Sequence, residues 1–366
     1  MATGDVTFQV FDVLTDAALG AVYPNSWAFG EVVHGAGELS MNLPIDPRTR
    51  DALRVRTNPD KVQVVAFQED RQGRVLPVWG GVLNYRARTP GTLVLNCKAQ
   101  EWRSWLYTRL HPTTYYRAAD EYTLAQHLLQ LAVTGAGTPL IVWQARTSGK
   151  TRQLTLQPWT SYGDALDSLG GRDDGFEWTL DLELSPTTGL PRKRFMLWEP
   201  GAARTGTRPD LRLVESAPRN SVSIGEVTES ATDRRTRVWA TGEGQPPAQP
   251  LSKDEDPDLL GGSVLLRETV TNWPGVTRVD TLFNHARGER LERSLVRQTL
   301  DIDVPVDSPL LTQYRVGDRA RVLVQDAWEN IDVVGARITA RSVNRSGRES
   351  VPVATLTVDL SDVSAD

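Results

Sequence analysis

Four kinds of side chain in this sequence have the chemistry of a reactive site, and each needs a particular spacing to use it. Gly149, Lys150 and Thr151 have the ending of a phosphate-binding loop, where backbone amides and a lysine hold phosphate. That loop requires a glycine five positions earlier, where this chain has Gln144, so an exposed turn is expected. Asp173, Asp174 and Glu177 would suit the paired carboxylates of glycoside hydrolysis, which stand roughly 5 to 10 Å apart across a sugar. Adjacent acids in RDDGFEW equally make a turn leading into a strand, and the pKa tuning that catalysis needs is not encoded by spacing. His34, His111, His127 and His285 are far apart, and none has a second ligand at metal-site spacing. No GxSxG elbow and no cysteine nucleophile with a nearby histidine occur. No catalytic, cofactor-binding or metal residue is therefore expected, nor is enzyme activity.

Cys97 is the only cysteine, which excludes an internal disulfide framework and a thiolate metal cluster. Within the strand-like LVLNCKAQ it reads as a small core residue. The 11 tryptophans, including Trp102 and Trp105 in EWRSWLYTR, could stack on sugar rings. Their spread along every segment argues for core anchors and interface residues instead.

These residues sit on a chain of 366, longer than one hydrophobic core usually serves, so roughly two to four domains are expected. The 29 glycines and 22 prolines run along the whole length and imply many turns and short strands, which favours a β-rich α+β class. The net charge of -5 leaves no global basic field for nucleic acid or anionic lipid. Lysine occurs only at Lys61, Lys98, Lys150, Lys193 and Lys253, so arginine supplies nearly all positive charge, as codon usage in a GC-rich genome would give. Arginine's planar fork also suits interfaces. MATGDVTFQV lacks a basic stretch followed by an apolar one, and no apolar run approaches the ~20 residues that span a bilayer. Cytosolic synthesis and a soluble chain are expected.

Residues 1–117 read as a first β-barrel-like unit. Val6, Phe8 and Val10 alternate with polar neighbours, and GELSMNLPI, KVQVVAFQ, VWGGVLNYRAR and GTLVLNCKAQ follow. Residues 118–200 read as an α+β unit. Leu124, Leu128 and Leu131 mark an amphipathic helix with Thr123 as its cap and Gly135 and Gly137 beyond its end. A second helix over TSYGDALDSLGG precedes a hairpin of GFEWTLDLEL and RKRFMLWEP. Residues 201–300 combine a connector, a strand pair at NSVSIGEV and RRTRVWATG, a polar loop over 243–262, and helical spacing at Val279, Leu282, Phe283 and Ala286 that runs on to Leu291 and Leu295. Residues 301–366 return to strands as a second β-barrel-like unit.

The order of GELSMNLPIDPRTRDAL, KVQVVAFQEDRQGRVLPVWGGVLNYRAR, LVLNCKAQEWRSWLYTRL, the WTSYGDALDSL helix with its GFEWTLDLEL hairpin, and YRVGDRARVLV resembles the tail hub, or tail-tip minor tail protein, of long-tailed bacteriophages, especially those of actinobacteria. The resemblance spans nearly the whole chain. It implies a homotrimer in which each subunit gives two tube-type domains, so that a pseudo-sixfold ring joins a sixfold tail tube to a threefold tip in the virion. Its implied partners are the distal tail protein, the tape measure protein and receptor-binding or other tail-tip proteins, with genomic DNA passing transiently and unbound and with no membrane anchor. An acidic chain suits such a channel. The chain stops at Asp366 without the extension that would hold a wall-degrading or receptor-binding domain. The neighbouring readings are a hexameric distal tail protein and a carbohydrate-binding module for the host wall.

Overall fold

The computed structural model describes residues 5–70, 72–135, 137–171, 174–199, 204, 212–214, 222–260, 262, 264–294, 296–306, 311–325, 330–347 and 350–360. Asp173, Leu295 and most of the 201–220 connector lie outside these residues.

The first part of the chain builds β1 (Val6–Asp12), β2 (Ala18–Val22), β3 (Ser26–Val32), β4 (Glu38–Pro44), α1 (Arg50–Arg56), β5 (Val62–Glu69), β6 (Val75–Arg88) and β7 (Val94–Glu101). Next come α2 (Arg103–Thr108), β8 (Tyr115–Asp120), α3 (Glu121–Ala132), β9 (Ile141–Trp143), β10 (Thr151–Leu156), α4 (Tyr162–Gly170), β11 (Glu177–Leu184) and β12 (Pro191–Trp198). The third part holds β13 (Arg212–Val214), β14 (Ser223–Ser230), β15 (Arg237–Thr241), β16 (Leu251–Glu255), α5 (Pro257–Leu260), β17 (Glu268–Asn272) and α6 (Val279–Glu292). The last strands are β18 (Arg297–Pro305), β19 (Arg319–Gln325), β20 (Asn330–Arg345) and β21 (Val353–Asp359).

The β-rich α+β class holds, and the two terminal β regions share one sheet. Its order is β14-β18-β21-β20-β3-β4-β7-β6-β5-β1-β2, with β19 and β13 branching from β20. The order is open at both ends, so the described strands form no closed barrel. The join is the antiparallel pair of β3 and β20, with Gly30 opposite Ser342 and Ala28 opposite Asn344. One core runs behind both regions, from Phe8, Trp27 and Leu39 to Leu300, Val343 and Leu356.

β5 shows why its sequence is almost continuously apolar. Val62, Val64 and Ala66 face that shared core, while Val65 and Phe67 face the core of the inserted α+β part. A strand covered on both faces has no position left for a polar side chain unless it is hydrogen-bonded. Gln63 and Gln68 meet that condition. Gln63 accepts from the Trp102 indole at 2.9 Å, and Gln68 donates to the Val306 carbonyl and accepts from the Leu311 amide.

Several local expectations change. Asp120, not Thr123, caps α3: its carboxylate accepts from the amides of Tyr122 and Thr123. A carboxylate one turn ahead reaches those free amides, whereas Thr123 is already helical. The buried stripe of α3 is Leu124, Ala125, Leu128, Leu129 and Ala132, leaving Leu131 only half-buried. Strands 223–230 and 237–241 do not pair with each other. β14 pairs with β18, and β15 pairs with β16 and β17 in a separate sheet. The region 243–262, read as a polar loop, contains β16 and α5, because the charges of LSKDE are matched by Arg237 on the neighbouring strand β15 and by Arg290 on helix α6. Short helices α1 and α2 also interrupt the first β region.

Candidate functional surface

Most of the described residues with chemical potential are engaged elsewhere. Ser148 and Gly149 do present backbone amides to an oxygen, but the oxygen is the Asp120 carboxylate, at 2.9 and 2.7 Å. The same carboxylate therefore caps α3 and holds the 148–150 turn. Burial pushes its pKa up, but the amides of Thr123, Gly149 and Ser148 with the Ser148 hydroxyl outweigh this and hold it below the ordinary value. Asp120→Ala is expected to lower stability by about 1–2 kcal/mol. Because the folded pKa is depressed, the pH-dependent part is present above about pH 4 and fades as pH falls through the folded value. A urea series against pH checks both.

Asp174 and Glu177 are not brought together for acid-base work. Arg152 binds Asp174 at 2.5 Å and, against the effect of burial, holds its carboxyl below the ordinary value. Glu177 is buried and paired with Arg337 of β20. Among the histidines, His111 and His127 both pack on the Tyr115 ring, at 5.5 and 5.7 Å. His111 Nδ1 is engaged with the Thr113 carbonyl, His285 stacks on Trp273 at 3.9 Å, and His34 is exposed. No cluster of three or more His, Cys, Asp or Glu that could hold a metal exists among the described residues. Cys97 is buried in the shared core, and burial pushes its thiol up to about 12. Trp102 is fully buried under the Lys193 ammonium, 4.6 Å from its ring.

What the fold does assemble is a surface. Strand alternation puts Trp27, Met41 and Cys97 in one row toward the core and their neighbours on the opposite face. On that opposite face Ser26 stands beside Asn42, and Asn42 beside Asn96. Ala28 stands beside both Ser40 and Asn344. The row continues from Ser342 to Thr355 and Asp303, with Thr357 and Asp301 next to them. Side chains link across strands: Asn42 donates to the Ser26 hydroxyl at 2.8 Å, Thr355 to Asp303 at 2.6 Å and Thr357 to Asp301 at 2.7 Å. Over the β3–β20 join the face hollows into a groove of about 570 Å³, with Lys98 and Arg345 at its sides. Small hydroxyls and amides predominate; Lys98, Arg345, Glu38, Asp301 and Asp303 are spread among them, Tyr85 lies along the groove and Val32 and Val94 are exposed on the same face, while Trp27, Met41 and Cys97 are turned inward.

Behind this face an ionic lock fixes the join. Arg341 is fully buried and forms an ion pair with Glu31 of β3 at 2.5 Å. It also donates to the carbonyls of Leu311, Tyr314 and Val78. Arg315 reaches the carbonyls of Pro77 and Val78 and stands 3.7 Å from Glu31. Guanidiniums from the last β region thus satisfy backbone and carboxylate groups of the first. The inserted part docks on the same place. Arg103 donates to the carbonyls of Val33 and Trp178 and pairs with Asp167. Sequence reading missed Arg315 and Arg341, since an arginine alternating with apolar residues in a strand looks solvent-facing until its partner is known.

Comparisons with known proteins agree with this architecture. No protein-family model and no curated protein matches the chain. Among solved structures, the tail protein from Neisseria meningitidis MC58 superposes with a TM-score of 0.60 at 14% identity, over 97% of this chain and 96% of that one. The 43 kDa tail protein of prophage MuSo2 from Shewanella oneidensis gives 0.56 at 11% identity, over 96% and 98%. An E. coli type VI secretion component, described as structurally similar to the T4 bacteriophage tail proteins gp27 and gp5, gives 0.50 at 10% identity, over 94% and 74%. The chain therefore has the fold of phage and prophage tail proteins and of a related secretion-system component. Among the described residues no helix is long and apolar enough to cross a membrane.

Proposed function

We propose that this chain is the central hub of a bacteriophage tail tip, a structural and non-catalytic virion protein that adapts a sixfold tail tube to a threefold tip and forms part of the DNA channel. The observation that carries the reading is the polar face of the continuous sheet. A conduit for a polyanion needs a wall that neither binds phosphates with clustered cations nor presents apolar patches. Ser26, Ser40, Asn42, Asn96, Ser342 and Asn344 make such a wall.

In this reading the two β regions act as barrel-like tube units, completed by neighbours when three copies form a ring, which also covers the sheet edges. The shared fold with tail proteins over nearly their full length supports it. Distal tail, tape measure and receptor-binding proteins are the proposed partners, and DNA passes without specific binding. Native mass measurement of the purified chain is expected to give three copies. Six copies would favour a distal tail protein, and a strictly monomeric chain at assembly concentration, inert toward tail partners, would contradict the proposal.

A further inference from the structure

A small polar chamber of about 20 Å³, room for about one water molecule, lies where the inserted part meets the sheet. Its walls come from β3 and β6, the end of β7, β11 of the inserted part, and Arg204. Three carboxylates line it, those of Glu31, Glu101 and Asp181, and their partners are unequal. Glu31 is held by Arg341 at 2.5 Å and stands 3.7 Å from Arg315. Asp181 is held by Arg204 at 2.8 Å; burial pushes its pKa up, but Arg204 and Arg315 outweigh this and keep it below the ordinary value. Arg204 in turn faces Asp318 of the last β region. Half-buried Glu101 has no such cation: its Oε2 accepts from the Gly37 amide at 2.7 Å, and among the described residues no lysine, arginine or histidine stands within ion-pair distance of it. Arg103, two residues on, is turned to Asp167 and to the carbonyls of Val33 and Trp178.

A carboxyl beside two ionised carboxylates, in a chamber that offers its charge little water, is favoured in the neutral form. Burial first, then the charge of Glu31, push Glu101 up to about 8, and the Gly37 amide and Arg204 offset only part of this. Its place in the chain gives that proton a mechanical consequence. Glu101 ends β7 and α2 begins at Arg103, so the carboxyl stands where the chain leaves the sheet for the inserted part. The Glu101 amide also donates to the Gly37 carbonyl at 2.9 Å, so backbone and side chain grip one glycine. Asp181 approaches from the other side, on β11. A third negative charge in this chamber is relieved by admitting water, and water enters as β11 moves off the sheet.

We propose that the Glu101 carboxyl keeps its proton at neutral pH and acts as a pH-sensitive catch between the sheet and β11, released when the proton leaves. The catch works within one chain, whatever the assembly. Because folding raises the pKa of this group, the stability it contributes is complete below about pH 4, where the unfolded chain is protonated as well, and is lost as pH rises through the folded value. Hydrogen exchange of the full chain, read by mass spectrometry and corrected for the intrinsic effect of pH, measures opening of β11 (Glu177–Leu184). Between about pH 6 and 9 the wild type is expected to show a rise in opening of about tenfold or more, and Glu101→Gln, whose amide stays neutral, is expected to show none. A wild type without the rise, or a rise that persists in Glu101→Gln, would overturn the catch. Infrared difference spectra of the wild type decide the matter even where the variant does not fold: a protonated-carboxyl band present at about pH 6 must vanish by about pH 9, and its absence at the lower pH would overturn the proposal.

Discussion

Replacing Arg341 by methionine is expected to cost about 3–5 kcal/mol of folding stability, because it leaves a buried carboxylate without its partner. Glu31 is only 7% exposed, and the three carbonyls that Arg341 satisfies are buried with it. The nearest other cation, Arg315, stands 3.7 Å from Glu31 and already donates to Pro77 and Val78. The double change Arg341→Met with Glu31→Leu is expected to recover most of the loss, since apolar groups of similar volume replace a buried ion pair at little net cost. Arg321→Met provides the contrast. Its bond to Asp332 is of good geometry at 2.9 Å, but both side chains are about half exposed and screened by water, so only a small effect is expected. Urea midpoints of the three variants test this. Equal losses for Arg341→Met and Arg321→Met would contradict an ionic lock at the join.

The second large effect is expected at the Trp-Gly-Gly step of β6. Trp79 donates its indole N–H to the Gly30 carbonyl at 2.9 Å, which pulls β6 close to β3. A methyl group on Gly81 would lie 2.1 Å from the Gln100 carbonyl oxygen, and one on Gly80 would lie 1.9 Å from a terminal carbon of Leu182. The first obstacle is backbone held in the β6–β7 ladder. The second is the end of a flexible side chain. Gly81→Ala is therefore expected to lose about 3 kcal/mol or more and to lower the yield of folded protein, with Gly80→Ala nearer 1 kcal/mol. Comparison of thermal midpoints decides between them. A tolerant Gly81 would mean that the two strands are not packed as described.

Local sequence gave much of the element list because its signals are short-range. Val6, Phe8 and Val10 alternate and form β1, and Ser161 before YGDAL caps α4 by accepting from the Asp164 amide. Pairing between distant strands was not legible. Nothing near Ser223–Ser230 indicates that its partner is Arg297–Pro305 rather than the next strand in sequence, because the module between them is an excursion. The merger of the two β regions was equally hidden, since Glu31 and Arg341 are 310 positions apart and each looks like an ordinary charged residue in a half-buried strand. The candidate surface left a faint trace. SWAFGEV, GELSMNLP and VLNCKAQ alternate, and their polar positions are mostly Ser, Asn and Gly rather than the Lys and Glu of a plain solvent face. Only the register places those positions in one continuous plane.

The residues with chemical potential are dispersed among structural contacts. Asp120 secures a helix and a turn, Asp174 holds Arg152, and Glu177 anchors Arg337 across to the last β region. Asp120 and Asp174 thus hold the inserted part together, and Glu177 ties it to the last β region.

In the proposed assembly this sheet face lines a channel in a ring of identical subunits. A cryo-electron microscopy reconstruction of the assembled chain measures it directly. The expected result is a threefold ring with Ser40, Asn42, Asn96 and Asn344 facing an open axial passage. A ring in which those residues face outward or lie buried between subunits, or no ring at all, would contradict it.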